Sequence, residues 1–159
     1  MKKEERIVKC WVDGSCYAKH PEKLGGVGVY LTYNGYTKKV SKGFSNTKIG
    51  RMELRALITA FQTVTGKSVK LEIHSDSQYV VNSFRKGWIF QWEKDDFLGR
   101  KNTDLLLLLL KEYRMFPEGN ISINWIPGHS GDEGNEIADR LADYKFQKSY
   151  EKDLKGSVI

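Results

Sequence analysis

The chain has 159 residues, 40% hydrophobic and 29% charged, and its 26 Lys and Arg exceed its 20 Asp and Glu by six charges. That composition excludes a disordered polyelectrolyte and fits one domain with a sizeable core. Cys10 and Cys16, with no CxxC pattern and no neighbouring His, exclude a disulfide scaffold and a zinc finger. The apolar run Leu105–Leu110 is too short to cross a membrane, and MKKEERIVKC lacks the apolar stretch of a signal peptide. The expectation is a soluble cytoplasmic protein, with a monomer as the default. Excess positive charge suits a polyanionic partner such as nucleic acid, and equally a basic surface with no partner.

Ile7 to Asp13 is rich in strand formers and stops at Gly14. Strands 27–33 and 36–44 flank Asn34-Gly35, whose preference for positive φ predicts a hairpin with a type I′ turn. Residues 51–65 carry Leu54, Leu57, Ile58 and Phe61 at helical spacing, with Glu53, Ala56 and Ala60 on the next stripe. Residues 69–75 alternate as a strand, Ser77 caps a helix to about Lys86, and 102–115 form a third helix. Residues 121–125 form the fifth strand. Asp132 or Gly134 opens the last helix, with Ile137, Leu141 and Tyr144 on its apolar face. Residues 1–148 read as one domain and 149–159 as a flexible tail.

A hairpin followed by strand–helix–strand units predicts an α/β fold: a five-stranded mixed sheet with helices packed on it. A helix separates 7–13 from 69–75, so these strands run parallel through a right-handed crossover. Asp13 and Asp76 then end neighbouring strands, and a hairpin on the other side of the first strand would make that end a topological switch point, where open α/β sheets bind ligands.

Asp13, Glu53, Asp76 and Asp139 each sit in an apolar stretch: IVKCWVDGS, RMELRALITAF, LEIHSDSQYVV and NEIADRLADY. A carboxylate beside a core needs a partner or a metal. Glu53 and Asp139 are read as first-turn residues favoured by positive helix ends. Taken singly, each acid is more simply a turn or helix-start residue; taken together, they make an anionic cluster suited to Mg²⁺ or Mn²⁺. Two divalent ions on such a cluster can hydrolyse phosphodiesters. GxSxG, GxxxxGK[ST] and GxGxxG are absent. His129, between Gly128 and Gly131 in WIPGHSGDEGNEIAD, is either a proton shuttle in a mobile loop or a surface histidine in a turn.

The segments VDGSC, RMELRAL, HSDSQYVVN, GW…QW, NTDLL and WIPGHSGDEGNEIADRLA, in this order, closely resemble type 1 ribonuclease H over about residues 7–146. The resemblance implies a ribonuclease H-like fold, three antiparallel strands followed by parallel ones with helices on both faces. It implies hydrolysis of the RNA strand of RNA–DNA hybrids by water activated between two Mg²⁺ ions, with Mn²⁺ able to substitute, leaving 3′-hydroxyl and 5′-phosphate ends. It assigns the metal to Asp13, Glu53, Asp76 and Asp139, and proton transfer or product release to His129. It sets Asn135 near the metal, Gln78 in the minor groove, and Trp88 and Trp92 in the segment that grips DNA, with Trp88 facing substrate and Trp92 the core. Ser15 and Lys48 join the substrate candidates, Lys48 as a phosphate contact. Two departures weaken the expected grip. Ile49-Gly50 replaces a polar pair common before R-x-E, and EKDDFLGRKNTDLL is shorter and less basic than in some bacterial relatives. The alternatives are a catalytically weak hybrid-binding module, a ribonuclease H domain of a reverse transcriptase, and an integrase- or resolvase-like nuclease, which the GHSG and SDSQYV segments fit poorly.

Overall fold

A computed structural model describes residues 7–155. Its strands are β1 (Ile7–Tyr17), β2 (Leu24–Tyr33), β3 (Tyr36–Ser45), β4 (Lys70–Ser75), β5 (Ile121–Trp125) and β6 (Tyr150–Lys152). Its helices are α1 (Ile49–Thr63), α2 (Gln78–Arg85), α3 (Trp88–Lys94), α4 (Thr103–Tyr113) and α5 (Glu133–Ala142). The sheet order is β5-β4-β1-β2-β3-β6. β1 pairs antiparallel with β2 and, as expected, parallel with β4, which puts the hairpin on the far side of β1 from β4. Asn34 at φ 48° and Gly35 at φ 79° make the hairpin turn.

One face of the sheet carries α1, backed by α4, and the other carries α5. The apolar stripe of α1 supplies Leu54, Leu57, Ile58 and Phe61 to the core, joined by Val8, Cys10 and Val12 of β1 and Leu106, Leu109 and Leu110 of α4. The buried face of α5 differs from the expected Ile137–Leu141–Tyr144 stripe: Gly134, Asn135, Ala138 and Ala142 are buried instead. Small residues win because α5 lies very close to the sheet. A Cβ on Gly28 of β2 would stand 2.2 Å from the Ala138 carbonyl oxygen. Gly28→Ala is therefore expected to lift α5 and cost about 1–3 kcal/mol. The melting temperature should fall by several degrees, and cleavage should suffer with it because α5 carries Asp139.

Three further expectations are corrected. The sheet has a sixth strand: β6 pairs with Gly43–Ser45 of β3, so residues 150–155 are not a frayed end. The Asp153 amide donates to the Ser45 carbonyl at 2.9 Å, and its side chain is buried. Residues 156–159 of the expected tail lie outside the described residues. The helix α3, absent from the sequence reading, follows Gly87 at φ 73°. Finally, α1 begins at Ile49 and α5 at Glu133, so Glu53 and Asp139 lie beyond the first turns and gain nothing from helix ends there.

Candidate active site

Val12 pairs with Ser75 in parallel register, so Asp13 and Asp76, one residue further along, stand side by side where the chain of β4 leaves the sheet. Asp13 is 9% exposed. The next residue, Gly14, lets α1 touch β1: a Cβ there would lie 2.7 Å from the Glu53 amide nitrogen. That close approach, which no other residue type permits, brings Glu53 to Asp13 from the opposite face. Glu53 is steadied by the Ser77 hydroxyl, which donates to Oε2 at 2.8 Å and accepts from the Val80 amide as the cap of α2. Asp139, exposed on α5, comes close enough to Asp13 to raise its carboxyl.

The electrostatics match this crowding. Burial pushes the Asp13 carboxyl up to about 8, helped by the charges of Asp76 and Asp139; the Gly14 amide opposes the shift. Burial likewise raises Asp76, reinforced by Asp139 and eased by His129. Burial raises Glu53, opposed by the Ser77 hydroxyl and reinforced by Asp76. Among the described residues, none of the four acids is in an ion pair with Lys or Arg.

These acids are neighbours rather than a closed ligand shell. Among the described residues, no three His, Cys, Asp or Glu side chains converge on one point for an ion. Unneutralised carboxylates repel, and Glu53 is turned onto Ser77. The donor set nevertheless fits a hard divalent cation: the ligands are oxygens only, burial raises Asp13, Glu53 and Asp76, and among the described residues none of the four is in an ion pair with Lys or Arg.

His129 is exposed on the loop beside Asp76 with φ 54°, close enough for its charge to favour Asp76 ionisation. Trp125 of β5 braces the same strand end, its indole donating to the Asp76 carbonyl at 3.2 Å. Asn135 is buried in the first turn of α5, where its backbone N–H donates to the capping Asp132 carboxylate at 2.9 Å. Gln78 is exposed at the start of α2, next to the acids. Lys48 precedes α1, with Ile49 49% exposed beside it. Ser15 stands apart from these. Its hydroxyl donates to the Ala142 carbonyl at 2.5 Å and accepts from the Tyr144 amide, fastening the end of α5 to β1.

Trp88 and Trp92 stand one turn apart on α3. Trp88 is exposed; Trp92, expected in the core, is only half-buried, stacking on Tyr79 with ring centres 6.1 Å apart. The Arg100 guanidinium lies 4.5 Å over the Trp92 ring. Tyr79, Trp88, Trp92 and Arg100 line a depression of about 390 Å³. Tyr79 and Arg100 were missed in the sequence. The signal that could have found α3 was the i, i+4 spacing of the two tryptophans.

The family model described as RNase H matches residues 5–147. A ribonuclease H of Actinobacillus pleuropneumoniae is 40% identical over 142 residues, 86% of this chain and 88% of its own. A ribonuclease HI of Haemophilus ducreyi is 41% identical over 142 residues, again 86% and 88%. Among solved structures, "LC9-RNase H1, a type 1 RNase H with the type 2 active-site motif" superposes with a TM-score of 0.67 at 26% identity, covering 89% of this chain and 72% of that one. A foamy viral protease–reverse transcriptase shares the fold, with a TM-score of 0.71 at 20% identity over 89% of this chain and 96% of that one. With a family match over most of its length and relatives at this identity, the chain belongs to the RNase H family.

Proposed function

We propose that the protein is a metal-dependent endoribonuclease that hydrolyses the RNA strand of RNA–DNA hybrids, leaving 3′-hydroxyl and 5′-phosphate ends. The observation that carries this reading is that Asp13, Glu53, Asp76 and Asp139 neighbour one another at one end of β1 with, among the described residues, no ion pair to Lys or Arg. Relatives named ribonuclease H and ribonuclease HI support the substrate class.

The four acids would hold two Mg²⁺ ions, with Mn²⁺ able to substitute. When bound, such ions supply an activated water and stabilise the leaving oxygen. The chain itself does the positioning. Asp13 and Asp76 set the end of the sheet against the scissile phosphate, while Glu53 from α1 and Asp139 from α5 close the site from its two faces. His129, on an exposed loop beside Asp76, moves a proton at the leaving group or eases product departure. Gln78 reads the minor groove, Lys48 contacts a phosphate, and Trp88 with its aromatic neighbours seats the DNA strand. Asn135 holds the start of α5, so it acts on Asp139 by positioning. The free thiols Cys10 and Cys16 suit a reducing cytoplasm, and the enzyme acts as a monomer. No helix among the described residues is long and apolar enough to cross a membrane.

The end chemistry is tested on a hybrid labelled at the RNA 5′ end: a DNA polymerase should extend the upstream RNA product directly. Products that extend only after phosphatase treatment would overturn the proposed ends. His129→Ala is expected to lower turnover by about 10²-fold and leave KM unchanged. Its rate profile from about pH 6 to 9 should lose a limb that the unmodified enzyme shows. Identical profiles would remove the proton role.

A further inference from the structure

A cavity of about 700 Å³ lies away from the acids. It is a groove between β3 and the segment after α5, lined by Lys39, Lys42, Arg140 and Lys148, with Glu151 as the one acid. Among the described residues none of these four cations is in an ion pair. Nothing in the fold uses their charge, and holding four like charges around one groove works against folding. Phe146 stands on the same wall, 78% exposed. An apolar ring left in water amid unpaired cations suits a ligand that is both anionic and flat-faced.

We propose that this groove binds single-stranded nucleic acid, as a contact separate from the acid cluster. The cations follow the phosphates, and Phe146 stacks under an unpaired base. A duplex is disfavoured because its base faces are hidden within the stack. The groove lies close to the acids without overlapping them. Asp13, Gly28 and Ser41 occupy one row across β1, β2 and β3, and Ser41 lines the groove, two strand spacings or roughly 10 Å from Asp13. The body of α5 stands between the two. On the hybrid-nuclease reading, on which this clause alone rests, the groove would hold an unpaired strand that continues from a bound hybrid.

The test is fluorescence anisotropy in EDTA with a labelled oligothymidylate or oligouridylate of about 15 nucleotides, at several salt concentrations. The comparison set is the full chain, a Lys42→Glu/Lys148→Glu double variant and Phe146→Ala, each checked for an unchanged melting temperature. The double variant should bind at least tenfold more weakly, and its log–log salt slope should be shallower by about 1.4. Phe146→Ala should weaken binding with the slope unchanged. All three should cleave a blunt hybrid equally, and only the unmodified chain should show a lower KM when the hybrid carries a single-stranded extension of about 10 nucleotides. Equal oligonucleotide binding by all three would overturn the proposal. So would equal competition by a Glu-rich peptide of the same charge, which would point to a protein partner. Failure of the blunt hybrid to be cut at all would defeat the nuclease reading and leave the anisotropy result standing.

Discussion

Asp13→Asn should abolish hydrolysis and at the same time make the metal-free protein more stable. Both effects come from one feature: Asp13 is the most buried of four neighbouring acids, and burial with the charges of Asp76 and Asp139 raises its carboxyl. Removing one preorganised charged group from a reacting centre costs about 10²–10³ in rate. Asp13 is one of the four residues that would hold the metal, so the loss is expected at or beyond the upper end, with residual turnover of about one-thousandth or less. For stability the sign is opposite. Asp13 is held at about 8, above its ordinary value of 3.8, so the folded state keeps a proton that the unfolded chain releases. Between these values, rising pH favours the unfolded state and the metal-free protein loses stability. Asparagine keeps the shape without the charge. In EDTA near pH 8 the variant should melt a few degrees higher, and it should lose most of the Mg²⁺-dependent rise in melting temperature. A variant that melts lower in EDTA while still gaining stability from Mg²⁺ would contradict the cluster.

The second large effect lies away from the acids. Arg51 is buried, its guanidinium held by Asp153 at 2.7 and 2.8 Å and by Asp104 at 2.8 and 3.0 Å. Arg55 and the Thr47 hydroxyl also donate to Asp153, at 3.1 and 2.9 Å. This network ties α1, α4 and the β6 segment together, two residues before Glu53. Asp153→Ala would leave a buried arginine half-paired, at a cost of about 3–5 kcal/mol. For a chain of this size, that is a drop of roughly 10 °C in melting temperature. Burial opposes ionisation of Asp153, but hydrogen bonds from Arg51, Arg55 and Thr47 outweigh it and hold the carboxyl at about 2, against an ordinary 3.8. A depressed folded pKa stabilises above the unfolded value, so this contribution is present above about pH 4 and is lost as pH falls towards 2. The size of that acid step is about 2 kcal/mol. Thermal melts between about pH 2 and 5 should show the step in the unmodified protein and a smaller one in Asp153→Asn. Equal curves would show that Asp153 is not ionised in the fold.

The juxtaposition of Asp13 and Asp76 was readable because the parallel pairing of β1 with β4 follows from a crossover that tight turns cannot make. The hairpin was readable from Asn34-Gly35, whose backbone preference is local. What escaped the sequence was set by long-range partners. Asp153 lies in a polar stretch with no period, and its burial is explained by Thr47, Arg51 and Arg55, which are 98 to 106 positions away. The buried face of α5 was misjudged because hydrophobicity pointed to Ile137 and Leu141. The glycines of β2 instead draw the helix in on Ala138 and Ala142. The first-turn assignment of Glu53 failed because α1 starts at Ile49, two residues before the expected Arg51; that of Asp139 failed although Asp132 caps α5 as expected, because a start at Glu133 leaves Asp139 in the second turn. Tyr79 and Arg100 joined the aromatic depression only once α2 and α3 had been folded against each other.

The most direct test of the whole account is cleavage of an RNA–DNA hybrid labelled on each strand in turn, run beside duplex RNA, duplex DNA and single-stranded RNA, with Mg²⁺, Mn²⁺ or EDTA. The account predicts cutting of the RNA strand of the hybrid alone, with either metal and not with EDTA. Cutting that persists in EDTA, cutting of the DNA strand, or a folded protein that binds the hybrid with Mg²⁺ and leaves it intact would contradict it.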